Sequence, residues 1–345
     1  MKFGMLINSQ DPPDGSNIPR LYEEIIKEAE LAEAVGFDSM FVPEHHMMPD
    51  GYLPAPAVLL AAVASRTKKL RLGTSILQLP EWHPIHVAEE WCVLDNISRG
   101  RAILGAGLGL VEPEFKLFGI ELKGAVERFA EQIQIIQKSW REKNWSFPGK
   151  YYNLENVTIT PRPVQKSGPP LWIGAMSEGA LKRAGKLGCG WVTDPLHHIN
   201  VMKSWGDIYR QSSAEHKNPA VETALLRTAW VAETKHEVEN VFWPHVRAMH
   251  LFYKNLGFFE SGRFNTEWEP WVKTITDAEW TFDRVAPNRL IAGTPAQVID
   301  EIARYRDETR CEHMILYLRY PTGPGHEETM KCIRMFGEKV FPKFQ

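Results

Sequence analysis

The sequence predicts an α/β fold that closes as a single (β/α)8 TIM barrel. Eight short apolar runs alternate along the chain with helical patterns. Most of these runs are apolar throughout rather than at every second position, which is typical of parallel strands covered on both faces. A doubly wound sheet would need fewer strands or a second domain, and no repeat or linker divides the 345 residues. We therefore expect one domain over residues 1–345.

Each element follows from local patterning. In the first helix, apolar residues recur every three or four positions, and Gly36 ends the pattern. Thr294 is a suitable N-cap for a helix that begins at Pro295. The predicted strands are 3–7, 37–42, 70–79, 101–104, 171–173, 190–193, 223–232 and 313–318. The predicted helices are 18–35, 57–64, 85–97, 125–140, 177–187, 201–212, 238–256, 295–310 and 327–340, with an added hairpin near 151–160.

One long segment, 257–288, lacks a clear pattern and lies between strand seven and the last barrel helix. It is rich in aromatic residues, among them Phe259, Trp268 and Trp271. A loop of this length is usually either functional or disordered, and this composition is too aromatic for disorder. We therefore predict an insertion that acts as a lid or as a wall of the substrate pocket.

Composition excludes several classes of protein. The net charge is −3 with both signs interspersed, so neither a nucleic acid nor an anionic membrane is an expected partner. The four cysteines are widely spaced and contain no CxxC pair, which argues against a disulfide framework or a zinc site. The first residues show no signal-peptide pattern, and no apolar stretch is long enough for a membrane span. We expect a cytoplasmic, soluble protein.

The candidate active site lies at the carboxyl ends of the strands, where barrels of this type carry their chemistry. The tripeptide Glu44-His45-His46 follows strand two, and histidine exchanges protons near neutral pH. Pattern alone leaves open which histidine faces the substrate. No metal is expected, because the first strand has no histidine pair and the other histidines lack ligand spacing. The strand ends also collect 8–10, 75–78, 105–109, 175–177, Asp194, His197, His198 and Arg319.

Two further features at the strand ends invite a nucleotide interpretation. The run 105–109 is glycine-rich, but a dinucleotide fingerprint would need glycine at Leu110. The glycines, Gly107 included, are better suited to let the backbone approach a flat ligand. Ser177 opens a helix after strand five, which fits either an anion site or an ordinary helix cap.

The motifs resemble one family. They include Glu44-His45-His46 and several blocks in the same order along residues 1–195, with a weaker likeness over 290–342. The chain resembles the bacterial luciferase-like, flavin-dependent monooxygenases, which adopt a TIM barrel. The main blocks are Leu72-Gly73-Thr74-Ser75-Ile76-Leu77-Gln78-Leu79-Pro80, Ser98-Arg99-Gly100-Arg101, Leu104-Gly105-Ala106-Gly107, Glu114-Phe115, Arg128-Phe129, Pro161-Arg162-Pro163-Val164-Gln165 and Pro169-Pro170-Leu171-Trp172-Ile173-Gly174.

The resemblance implies roles for individual residues. His45 matches the catalytic histidine, flanked here by Glu44 and His46. Ser75-Ile76 matches a pair joined by a non-proline cis bond beneath the flavin ring. Ser177 matches a phosphate-contacting serine. The chain departs from luciferase at Leu108, which replaces a phosphate-binding arginine, and at Met176, which replaces an acidic neighbour of the phosphate.

The resemblance also implies a reaction. Reduced FMN would react with dioxygen to give a flavin hydroperoxide, which oxygenates a small apolar substrate. A separate flavin reductase is expected, because the chain shows no second nucleotide motif. The alternatives are a deazaflavin-dependent hydride transfer on the same barrel and a non-catalytic flavin-binding paralogue. Leu110 argues against the deazaflavin sugar-phosphate dehydrogenases, which carry a glutamate there. The family forms dimers through early helices, so a homodimer is expected, with Trp91 as a candidate interface residue or, alternatively, a core residue.

Overall fold

The computed structural model describes residues 1–109, 112–218, 222–255 and 268–344. Eight parallel strands form a closed barrel, as the sequence predicts. The first and last strands of the ring pair with each other, with Lys2 opposite His313. The consecutive strands that contain Trp191 and Thr223 also pair and complete the ring. The strands are β1 Lys2–Leu6, β2 Ser39–Val42, β3 Arg71–Thr74, β4 Leu77–Gln78, β5 Ala102–Gly107, β6 Trp145–Pro148, β7 Asn153–Val157, β8 Leu171–Gly174, β9 Gly190–Val192, β10 Thr223–Val231, β11 Ile291–Gly293 and β12 His313–Tyr317.

The helices cover the barrel and begin and end where local chemistry requires. Gly36, with φ of 100°, ends the first helix in a left-handed conformation that favours glycine. The Gln297 side chain accepts a hydrogen bond from the Thr294 backbone N–H at the start of the predicted 295–310 helix. The helices are α1 Ile18–Val35, α2 Pro56–Arg66, α3 Pro84–Ser98, α4 Glu112–Leu117, α5 Ala125–Arg141, α6 Glu178–Lys186, α7 Ile199–Glu215, α8 Lys235–Glu237, α9 Trp243–Asn255, α10 Phe282–Val285, α11 Pro295–Thr309 and α12 His326–Met335.

Four details differ from the predicted elements. The third barrel strand is divided into β3 and β4, and β4 still pairs with β5. The added hairpin is β6 with β7, so it begins earlier than predicted. Strand β11 pairs with β10 outside the barrel ring and escaped prediction because it has only three residues. The short helix α4 also escaped prediction, and it carries an important residue of the site.

Trp91 belongs to the core of the chain. Its side chain is fully buried, and its indole N–H donates a hydrogen bond of 2.9 Å to the Ile103 carbonyl oxygen. The suggestion that Trp91 lies at an interface is therefore wrong, and the alternative core position is correct. The exposed apolar residues of α2 and α3 are instead Val58, Val93 and Ile97.

A buried ion network joins the first and last helices to the barrel. Arg319, just after β12, pairs with Glu24 and Glu28 of α1 at 2.7 Å each. His326 of α12 lies 2.8 Å from Glu28, and this hydrogen bond raises the pKa of His326. Arg319 therefore points to α1 rather than serving the barrel mouth. Glu24, Glu28 and His326 are grouped closely enough to hold a metal ion, but the Arg319 guanidinium already supplies a cation to both carboxylates.

Among the described residues, no helix has both the length and the apolar content needed to cross a bilayer. The four cysteines, Cys92, Cys189, Cys311 and Cys332, are buried as free thiols. Burial raises the pKa of the Cys189 thiol to about 12, which leaves it in the unreactive neutral form. We therefore assign these cysteines a packing role.

Replacing Arg319 with methionine is expected to destabilise the fold by about 3 kcal/mol, because it leaves the buried Glu28 carboxylate without its main counter-charge. The Arg319 side chain is 12% exposed and that of Glu28 is fully buried. Arg20→Met is the matched control, since Arg20 also pairs with Glu24 but its side chain is 79% exposed. Urea unfolding measures both. Equal losses in the two variants would contradict a buried anchor.

Candidate active site

The two histidines after β2 point in different directions. The His45 side chain is 31% exposed, and its ring packs against Tyr52 with centroids 4.6 Å apart. The His46 side chain is only 11% exposed and turns towards the Glu44 and Glu81 carboxyl groups. Of the two, His45 is therefore the better placed to meet a ligand at the barrel mouth. This distinction was not available from the sequence.

Glu114 of α4 holds both histidines in place. Its Oε1 lies 3.1 Å from His45 Nδ1 and accepts a 2.8 Å hydrogen bond from the His46 backbone N–H. Its Oε2 accepts a 2.8 Å bond from the Gln78 side-chain amide. Burial alone would raise the pKa of Glu114, but these contacts lower it overall, so the carboxylate is ionised. An ionised acceptor at Nδ1 favours a proton there and leaves His45 Nε2 free for a ligand.

Glu44 is the second fixed carboxylate. It accepts hydrogen bonds from the Gln78 backbone N–H and from the Trp82 indole N–H, the latter at 2.8 Å. Its Oε1 also lies 3.4 Å from His46 Nε2. The hydrogen bond with Glu44 is the main cause of the raised pKa of His46, and burial opposes it. Glu44 therefore orients His46 rather than facing the mouth.

Glu81 differs from Glu44 and Glu114 in its hydrogen bonding. Its side chain is fully buried, and neither carboxyl oxygen accepts a hydrogen bond from any described residue. His46 Nε2 lies 3.3 Å from Glu81 Oε2 without the alignment of a hydrogen bond. Burial, followed by the charges of Glu44 and Glu114, raises the pKa of Glu81 to about 7. This carboxyl group is therefore partly protonated at neutral pH.

A group of tyrosines borders His45 on the other side. Tyr52 stacks on the His45 ring, and the Tyr317 and Tyr320 rings lie 4.2 Å apart between centroids. The Tyr320 hydroxyl is 2.6 Å from Thr228 Oγ1. Burial raises the pKa of Tyr52 and of Tyr317 well above the ordinary value, so both phenols stay neutral. Of these rings, Tyr52 is the one in contact with His45, and it offers an aromatic face beside the histidine.

Sequence reasoning missed most of these partners of His45. Glu114 and Tyr52 contact the histidines, and Gln78 donates a hydrogen bond to Glu114. Glu81 and Trp82 complete the buried side. Gln78 was already among the strand-end residues, and Glu114 lay in a matching block without an assigned role. A sequence does not show how far a strand end lies from a later helix, so only the folded structure reveals these contacts.

The Ser75–Ile76 peptide bond is cis, as the resemblance implied. Ile76 is half-buried where the barrel strand is interrupted. A Cβ at Gly107 would lie 2.5 Å from Ile76 Cδ1, and one at Gly174 would lie 3.0 Å from Ile76 Cγ2. Gly107 is therefore needed by the packing of Ile76, which is a different reason from the predicted approach of a ligand to the backbone. Contact of Gly107 with a cofactor stays a prediction.

These residues fit a flat ring system. Ile76 presents an apolar, half-buried surface. Gly107 on β5 and Gly174 on β8 leave space for the Ile76 side chain. The polar end of a flavin would need an anion site as well. Ser177 is exposed at the start of α6, where its side chain makes no capping hydrogen bond, and the space beside Gly179 is open. Met176 is half-buried next to it. The helix start is thus accessible to a phosphate.

The described part of the aromatic insertion packs on α9, where Arg247 donates a 3.1 Å hydrogen bond to the Trp280 carbonyl oxygen. Trp271 lies under the Arg284 guanidinium at 4.9 Å and meets the buried Trp280 edge-on at 6.4 Å. Trp268 is half exposed. Phe259 lies outside the described residues. The role of Trp268, Trp271 and Phe259 as a substrate wall stays a prediction.

Asp194 and His197, both at the predicted rim, pair with each other at 2.6 Å. The fully buried Arg227 donates a 2.7 Å hydrogen bond to the His197 carbonyl oxygen. Burial alone would raise the pKa of Asp194, but His197, Arg227 and the Leu196 N–H lower it to about 2. Burial and nearby arginines lower the pKa of His198 to about 4, so it is neutral. These residues anchor the loop after β9.

The comparisons with known proteins agree with this geometry. Residues 1–310 match the family described as luciferase-like monooxygenase. The chain belongs to that family. The expected family and fold are therefore confirmed, and relatives with named activities show that this luciferase-like protein is an enzyme.

Relatives named for a cofactor include both flavin-dependent and F420-dependent enzymes. The chain is 27% identical to the oxygenase component of the flavin-dependent trigonelline monooxygenase of Acinetobacter baylyi, covering 100% of this chain and 96% of that one. It is 29% identical to the F420-dependent glucose-6-phosphate dehydrogenase of Microbacterium testaceum, covering 93% of each. The crystal structure of the monooxygenase RslO1 from Streptomyces bottropensis superposes with a TM-score of 0.84 at 25% identity over the full length of both chains. A flavin or deazaflavin cofactor is therefore supported.

Asp194→Asn is expected to lower the free energy of unfolding by about 2 kcal/mol at pH 7. The reason is that the fold holds the pKa of Asp194 below its ordinary value and so favours the ionised carboxylate. A carboxyl whose pKa is depressed in the fold stabilises it above its ordinary pKa and loses that contribution as pH falls. The difference from wild type should therefore shrink to about half by pH 3. Urea unfolding across pH 3 to 7 measures it, and a difference that does not change with pH would refute the anchoring role.

Proposed function

We propose that this protein is the oxygenase of a two-component monooxygenase that uses reduced FMN and dioxygen on a small apolar organic substrate. The observation that carries the proposal is that the His45–Glu114 pair and the half-buried Ser75–Ile76 turn follow the neighbouring strands β2 and β3. That arrangement sets a proton-exchanging imidazole next to a surface suited to a flat ring. Reduced flavin, when bound, supplies the electrons that activate dioxygen.

The residues of this chain have defined tasks in the proposed reaction. Glu114 orients His45, and His45 Nε2 holds or releases a proton at the mouth. Ile76 supports the ring, and the N-terminus of α6 at Ser177 binds the phosphate. The apolar faces of Tyr52 and Tyr317 exclude water from the reacting atoms.

Two features support a separate reductase and oxygen transfer. One relative is named an oxygenase component, which implies a second component in that system. This chain shows no second nucleotide motif in its sequence. We therefore infer that reduced flavin reaches the barrel from a flavin reductase, and that NADH is not oxidised by this chain alone.

A second candidate is hydride transfer with a deazaflavin, which is favoured by the similarity to F420-dependent dehydrogenases over nearly the whole chain. The sequence argues against their sugar-phosphate chemistry, because Leu110 stands where those enzymes are expected to carry a glutamate. The non-catalytic alternative has no support among relatives with named activities.

We also propose a homodimer through α2 and α3. Val58, Val93 and Ile97 leave an apolar face exposed on these adjacent helices. Sedimentation equilibrium reads the mass directly: twice that of the 39.4 kDa chain supports the dimer, and a single-chain mass contradicts it.

His45→Asn is expected to lower turnover by about 10²- to 10⁴-fold while reduced FMN still binds, because the change removes only proton exchange. The assay couples the protein to a flavin reductase under ¹⁸O₂ and tests alkanals, cyclic ketones and N-methylated heteroaromatic acids by mass spectrometry. One ¹⁸O atom is expected in the product.

His86→Asn is the matched control, since His86 is an exposed histidine on α3. It should leave turnover within about twofold. If both variants turned over a substrate of the wild type at the same rate, His45 would not be the acid or base.

A further inference from the structure

The strongest unexplained feature is the Glu81 carboxyl group. It belongs to the short 3-10 turn Leu79–Glu81 that follows β4, and its side chain is fully buried. Neither oxygen accepts a hydrogen bond from a described residue, although buried carboxyl groups are normally satisfied. Packing does not require a carboxyl group here, so its chemistry calls for an explanation.

The position of His46 supplies one. Its Nε2 lies between two buried carboxyl groups, 3.4 Å from Glu44 Oε1 and 3.3 Å from Glu81 Oε2. Glu44 is already satisfied by two N–H donors, whereas Glu81 has none. A proton on His46 Nε2 therefore faces two carboxyl groups. The oxygens of Glu44 already accept hydrogen bonds, whereas those of Glu81 are able to accept the proton.

Three further acids surround this pair or its neighbours. Glu44 follows β2, Glu114 lies on α4, and Glu90 on α3 adds a further acid near Glu44. The Phe118 ring closes the remaining side of His46 at 4.8 Å between centroids. If Glu44, Glu114 and Glu81 were all ionised and His46 were neutral, three negative charges would share a buried site with little compensation.

We propose that Glu81 and His46 form a buried pair behind His45 that holds one proton between them. When the proton moves, the Glu81 O–H bond breaks and the His46 Nε2–H bond forms. The negative charge then lies on Glu81 and the positive charge on His46, so the net charge of the pair does not change. Glu81 is thus a positioning residue rather than a catalytic one. Its expected effect on turnover rests on the proposed function.

Two coupled groups titrate in two steps, and this gives a test that is independent of activity. Nitrogen-15 NMR of the histidine side chains is expected to show a two-step titration of His46 in wild type. Glu81→Gln, which keeps the shape and removes the titration, should leave a single step. Glu90→Gln is the matched control, because it removes a neighbouring acid without contacting His46, and it should keep two steps.

Stability gives a second readout. The raised pKa of Glu81 means that the fold binds its proton between about pH 4.5 and 7, whereas the unfolded chain does not. The contribution of this bound proton to the stability of the fold is therefore fully present below pH 4.5 and is lost as pH rises through 7. Wild type and Glu81→Gln should melt together at pH 5, and the variant should melt several degrees higher at pH 8.

The kinetic readout is the pH profile of turnover. A limb near pH 7 should be present in wild type and in Glu90→Gln and absent in Glu81→Gln. If the protein bound no FMN, the proposed function would fail, but the NMR and melting results would still decide whether the pair exists. If Glu81→Gln did not fold, the wild-type titration would decide alone. A single-step His46 curve in wild type, or a two-step curve in Glu81→Gln, would overturn the pair.

Discussion

The site depends on one carboxylate, that of Glu114, which joins three parts of the chain that are distant in sequence. It contacts the His45 ring, the His46 backbone and the Gln78 side chain, and thereby connects the ends of β2 and β4 to the short helix α4. Without an ionised acceptor in this position, the backbone N–H of His46 would lack its partner and the His45 ring would be free to rotate. The orientation of His45 is thus a consequence of barrel closure and of α4 together.

The presence or absence of N–H donors divides the three buried acids behind the histidines into two kinds. Glu44 and Glu114 each accept hydrogen bonds from two N–H donors, and in Glu114 these contacts outweigh burial and lower the pKa. Glu81 receives none, and burial keeps its proton in place up to about pH 7. The same type of side chain therefore has two functions, fixed anchor and proton holder, and only the surrounding donors distinguish them. The proposed chemistry at His45 takes place beside these three acids.

Periodicity and apolar runs were sufficient to predict the barrel, since parallel strands buried on both faces have a strong pattern. They also placed Glu44, His45 and His46 at the mouth. The short elements α4 and β11 were missed because a few residues carry no period. The direction of Arg319 and the partners of His45 were not predictable, because both are set by contacts between elements far apart in sequence. Likewise, the reason for Gly107 became clear only when Ile76 was seen beside it.

The most direct test of the proposed chemistry is an anaerobic titration of the pure protein with reduced FMN and with a reduced deazaflavin, followed by rapid mixing with oxygenated buffer. The account predicts tight binding of reduced FMN and a transient absorbing species that forms only after oxygen arrives. Binding of the deazaflavin alone, with no reaction on mixing with oxygen, would contradict it. That result would assign the barrel to hydride transfer.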